Sequence, residues 1–167
     1  MSLKQTLTMC DPTSTDELIT VYNHFLTSEI FIKELLDCCL YIPTQRSATW
    51  LLKHYLENDQ GITAEQTKRV VDTLRDYSHW EAQLHILQSF QYLDLHLVNK
   101  DRCYNTLHRL LQNKNKFVRA WAYNGLHLLA KAFPEYQEMA REFLEMALRD
   151  EAPSVTARIK KILQDSD

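Results

Sequence analysis

The stretch NKFVRAWAYNGL, Asn115 to Leu126, concentrates three aromatic residues, two basic residues and one of the two glycines of the chain. Two readings compete for it. Interleaved cations and aromatics suit a surface that grips a nucleic acid. Apolar residues at helical spacing suit one helix of a packed array. Val118, Ala122, Gly125, Leu129 and Ala132 fall on one stripe of a helix, widened by Trp121 and Leu128. Gly125 inside a helix costs about 1 kcal/mol relative to alanine, a cost that the close approach of a neighbouring helix would explain. The spacing therefore predicts a packed helix, with a narrow outward edge.

Composition points the same way. The chain has 167 residues, 45% of them hydrophobic and 25% charged, a balance ordinary for a soluble globular protein. Two glycines and four prolines are too few for the many special turns of an all-β fold. A net charge of −3 gives no overall electrostatic footprint for a phosphate backbone. Cys10, Cys38, Cys39 and Cys103 contain no CxxC pair, so they read as reduced thiols serving as small core hydrophobes, and the expected location is the cytoplasm. No apolar run has the length of a signal peptide or a membrane span, so no membrane association is expected.

Helix-start signals divide the chain. Ser14–Glu17 (STDE), Thr63–Gln66 (TAEQ) and Ser78–Glu81 (SHWE) read as capping boxes, and Pro134 suits a first helical position. Nine helices are expected near 15–26, 29–40, 47–58, 64–76, 79–91, 100–112, 116–132, 135–149 and 154–164, within a single domain spanning 1–167 and preceded by a flexible tail over 1–13. Short loops predict antiparallel neighbours.

The chain also matches itself at an offset of 37 residues. Leu74, Leu111 and Leu148 fall in register, followed by Asp76, Asn113 and Asp150 in the loop; Trp80 aligns with Phe117, Leu84 with Trp121, and Val118 with Val155. At an offset of 34, Leu40 and Trp50 match Leu74 and Leu84. DEAPSV (Asp150–Val155) and NKNKFVR (Asn113–Arg119) resemble the HEAT-repeat signature. The resemblance spans two good repeats, Tyr104 to Leu163, and two degenerate ones before them. It departs from the pattern at Asn113, at Glu81-Ala82 and at Val155-Thr156, which lacks the arginine. It implies an all-α, right-handed superhelical stack of antiparallel helix pairs. Asp76, Asn113, Asp150, Val118 and Val155 would be its structural repeat positions.

No residue pattern nominates a catalytic centre. His79, Glu81 and His85 share one predicted helix, but no HExxH or CxxC completes a metal site, and no metal or other cofactor is expected. Cys103 and His108 lack a third member for a nucleophile–base arrangement. Trp50, Trp80 and Trp121 are expected to pack between repeats. The expected function is that of a protein-binding adaptor or regulatory module without catalytic activity of its own. Its contact face is expected on Gln83, Lys116, Arg119, Tyr123, Asn124 and His127. The alternative is a nucleic-acid-binding protein similar to HEAT-like DNA alkylation-repair glycosylases. Those enzymes pair a tryptophan with a nearby aspartate, whereas Trp50, Trp80 and Trp121 are followed at i+4 by His54, Leu84 and Gly125.

Overall fold

The computed structural model describes residues 1–165, and among these it contains helices and no strands. Ten α-helices follow one another: α1 (Leu3–Met9), α2 (Thr15–Phe25), α3 (Phe31–Leu40), α4 (Gln45–Glu57), α5 (Ala64–Thr73), α6 (Trp80–Ser89), α7 (Lys100–Leu110), α8 (Lys116–Ala132), α9 (Gln137–Asp150) and α10 (Pro153–Asp165). No helix among the described residues is long and apolar enough to cross a membrane.

The first helix corrects the expectation of a flexible tail over 1–13. Ser2 and Gln5 form a reciprocal capping box, and Leu3 and Leu7, one turn apart, are buried. Thr63 and Gln66 form the expected box at α5. At α2 only half of it exists: Ser14 accepts from the Glu17 N–H, while the Glu17 carboxylate accepts from the Asp11 N–H at 2.9 Å. At α6 the cap is His79 rather than Ser78, its ring Nδ1 accepting from the Glu81 N–H at 3.2 Å. Tight 3-10 turns close α5 (Leu74–Asp76) and α6 (Phe90–Tyr92), and another (Pro134–Tyr136) leads into α9.

The even-numbered helices α4, α6, α8 and α10 lie side by side, each touching the next, and α2 continues the row beside α4. Behind them α3 backs α4, α7 backs α8, and α9 lies against both α8 and α10. A helix pair cannot bury its apolar stripe alone, so the stacked pairs share one core. That core runs from Leu18 through Leu51, Ile86 and Leu107 to Val118, Val155 and Ile159, all almost completely buried.

Polar contacts cross between successive pairs at sequence separations close to the repeat length. Arg69 reaches Asp37 at 2.6 Å, Arg102 reaches Asp72 at 3.5 Å, and Arg46 meets Glu81 at 2.6 Å. The Tyr136 hydroxyl donates to Asp101 at 2.7 Å, and Lys100 pairs with Glu135. Each such surface pair is worth only about 0–1 kcal/mol, so together they fix register more than they add stability.

Gly125 sits where α8 meets α7. A Cβ there would lie 2.7 Å from Leu107 Cδ2 and 3.5 Å from Phe90 Cδ2. Because Leu107 is itself fully buried, it has little room to give way. Overpacking costs about 1–3 kcal/mol, which outweighs the helix-propensity gain of about 1 kcal/mol from Gly125→Ala. We expect Gly125→Ala to destabilise the protein by about 1 kcal/mol in urea unfolding. In a Leu107→Ala background the same substitution should instead stabilise, because the obstructing methyl is gone. A stabilising Gly125→Ala in the wild-type background would refute the close approach.

Candidate functional site

Each helix of an array such as this is covered on several sides: by the helix behind it and by the repeats before and after it. Only a strip of each even-numbered helix faces water. On α8 that strip is Phe117, Trp121, Asn124, Leu128 and Lys131, spaced by three and four residues. The 34- and 37-residue offsets carry it onto the neighbouring helices. Trp50 of α4, Leu84 of α6, Trp121 of α8 and Arg158 of α10 form one row of half-buried side chains. One turn earlier the row is Arg46, Trp80 and Phe117, in which Trp80 is 39% and Phe117 45% exposed, and the matching Ser154 of α10 has its hydroxyl buried. This corrects the expectation that Trp80 packs between repeats. It lies at the first turn of α6, its ring stacked with that of His79 at 6.4 Å between centroids.

Trp50 is half-buried as expected and stacks on His54, ring centroids 5.1 Å apart. The Arg158 guanidinium lies over the Trp121 ring, 4.0 Å from its centroid. Both contacts set a half-buried polar side chain against a half-buried aromatic ring. A strip of this kind can bury aromatic faces against a partner while cations and amides align it.

Most of the contact residues expected from sequence are turned elsewhere. Gln83 is buried, donating to the Tyr77 carbonyl at 2.8 Å and accepting from Asn113 Nδ2 at 3.1 Å. Tyr123 is also buried, and desolvation raises its phenol pKa. Both lie inside because their direction on the helix faces an adjoining repeat, not water. Arg119 is bound to Glu151, with Nε 3.0 Å from Oε1, and to the carbonyls of Asn113 and Lys114. His127 is half-buried, and burial lowers its pKa. Asn124 lies on the water-facing strip, and Lys116 is exposed over its neighbour Phe117.

Of the structural repeat positions, Val118 and Val155 are fully buried. Asn113 accepts from the Asn115 N–H at 2.8 Å, as a loop amide should. Asp76 and Asp150 do not follow it: both are exposed, and Asp76 lies 3.9 Å from its chain neighbour Arg75. Glu151, next to Asp150, reaches Arg119 instead, while also accepting from the Ala152 N–H.

His79, Glu81 and His85 do not converge. His79 caps α6, Glu81 pairs with Arg46, and buried His85 bonds Thr49. Among the described residues no three His, Cys, Asp or Glu side chains are grouped to hold a metal ion. The four cysteines are free thiols; burial pushes Cys38 up to about 11 and Cys103 up to about 12, which keeps them protonated and weakly nucleophilic. Comparison with known proteins adds no assignment: no protein family, curated protein or solved structure matches the chain.

Proposed function

We propose that this chain is a short right-handed helical stack of the HEAT type that binds a protein partner, acting as an adaptor or regulatory module without catalysis of its own. The observation that carries the reading is the aromatic strip on three adjacent helices. Trp50, Trp80, Phe117 and Trp121 stay partly or largely open to water although the core behind them is fully packed. Large aromatics are the side chains that dominate protein interfaces, and a flat strip across several helices suits an extended polypeptide or a helix. Engagement of Arg119 by Glu151 favours this reading over a nucleic-acid grip, because it leaves Lys116 as the one cation of the opening stretch without an acid partner among the described residues.

The experiment is partner capture from native cell extract with the wild-type chain and with Trp80→Ala/Phe117→Ala. Both side chains are substantially exposed, so the double variant should keep its stability within about 1 kcal/mol. Truncating two aromatic anchors should lower capture of the principal protein at least tenfold. Capture that survives unchanged in the variant rejects this face. Capture abolished by nuclease treatment of the extract supports nucleic-acid binding instead.

A further inference from the structure

At the α10 end of the water-facing strip, α8, α10 and the 3-10 turn after α6 enclose a groove of about 460 Å³ whose walls include Gln91, Trp121, Asn124, Lys131, Arg158 and Lys161. We infer that this groove binds a short acidic segment of a partner polypeptide through its carboxylates. The inference rests on the reading of the chain as a protein-binding module and specifies the chemistry of what it binds.

Charge contrast selects the occupant. The chain as a whole carries a net charge of −3, yet among the described residues Lys131, Arg158 and Lys161 line this groove with one carboxylate, Asp165. The arginines that bridge repeats are matched: Arg46, Arg69, Arg102 and Arg119 each pair with an acid, whereas these three cations gather on one groove. Among the described residues, Lys131, Arg158 and Lys161 form no ion pair within 4.0 Å.

Arg158 has a geometry suited to the task. Its guanidinium carbon lies 4.0 Å from the Trp121 ring centroid, and no hydrogen bond or ion pair among the described residues occupies its N–H groups, which suits them to a bidentate carboxylate. The stack lowers the rotamer entropy that binding would otherwise cost. Asn124 and Gln91 add amide donors on the same walls, able to bond a peptide backbone.

A nucleic acid fits less well. A phosphate backbone calls for a continuous track of cations, and here they gather at one end of the strip. The face of Trp121 that a base would stack on is covered by Arg158.

The test titrates the isotopically labelled full chain with hexaglutamate, with a Gly-Ser hexamer and with a twelve-residue oligothymidylate, read by amide and indole NMR shifts. We expect hexaglutamate to move the Trp121 indole, Asn124, Arg158 and Lys161 signals saturably, with an affinity that falls as salt is raised. Lys131→Glu/Lys161→Glu should weaken it at least tenfold, while an unchanged melting temperature shows the fold intact. Arg158→Lys, which keeps the charge but loses the fork, should also weaken it several-fold. Absence of saturable shifts up to millimolar hexaglutamate overturns the inference, as does tighter binding of the oligothymidylate. If hexaglutamate fails while protein capture still depends on Trp80 and Phe117, this inference falls and the protein-binding reading stands. If both fail, the reading falls too.

Discussion

Arg119→Ala should lower the unfolding free energy by about 2–4 kcal/mol, a loss well above that of an ordinary surface charge. The reason is the number of groups that one guanidinium serves. Its Nε and Nη2 hold both oxygens of Glu151 at 3.0–3.2 Å, and its Nη1 donates to the carbonyls of Asn113 and Lys114 at 2.9 and 3.3 Å. The two side chains are only 20% and 13% exposed. Removing the arginine therefore leaves a poorly solvated carboxylate and two loop carbonyls without their donor. It also loosens the joint between the loop before α8 and the loop before α10. For a chain of this size the expected drop in melting temperature is roughly 6–12 °C. Arg119→Lys should rescue little of it, because an ammonium lacks the planar fork. Adding Glu151→Ala to Arg119→Ala should cost much less than the sum of the single changes, since the orphaned charge goes too. Strict additivity, or a loss below about 0.5 kcal/mol, would show that the joint bears no such load. A charge reversal at Arg119 consequently reports on folding before it reports on binding, which is why Trp80 and Phe117 are the better probes of the face.

The helical array was legible because its signals are local and repeated. Val118 and Val155 fall in register in the sequence and are fully buried in the fold, and the glycine that costs helix propensity marks a real close approach at Leu107. For the N-terminal helix the sequence predicts a flexible tail instead, because seven residues carrying Ser2, Gln5, Leu3 and Leu7 make a short pattern beside the other helices. The contact face was not legible. A helical wheel divides residues into a core stripe and everything else, and Arg119, Tyr123 and Gln83 fall in the remainder. In a stacked array that remainder is itself mostly covered, because the preceding and following repeats bury the flanks. Polarity misleads in the same way: buried Gln83 satisfies its amide on Tyr77 and Asn113, thirty residues apart from the latter in sequence. Trp80 and Phe117 show the converse. Hydrophobicity assigns them to the interior, and only the position of their helix ends in the assembled layer leaves them facing water.

Acid should weaken the fold through His85 on α6. The ring is buried, and desolvation, reinforced by the nearby charges of Lys53 and Arg46 and by His79, lowers its pKa from 6.5 to about 3. The unfolded chain titrates this imidazole near 6.5, so between about pH 6.5 and pH 3 the unfolded state holds the extra proton. The stability is complete above that window and declines as the pH falls through it, by about 2 kcal/mol at pH 5. Urea midpoints measured from pH 7.5 to pH 4.5 should show this slope, and His85→Gln should flatten most of it. Half-buried His127, whose pKa is also lowered, titrates in the same direction. The difference between wild type and His85→Gln separates the two, and a slope that persists undiminished in the variant would assign the acid sensitivity to other groups. The variant is a fair control because of how Thr49 is used. Its hydroxyl can donate to the Gln45 carbonyl at 2.8 Å, leaving the oxygen to accept from His85 Nδ1 at 3.0 Å. A glutamine amide can donate to the same oxygen. Protonating His85 keeps the Thr49 bond as well, so what acid changes is the charge itself: a cation shut away from water beside Lys53 and Arg46, hydrogen-bonded to the Thr49 oxygen.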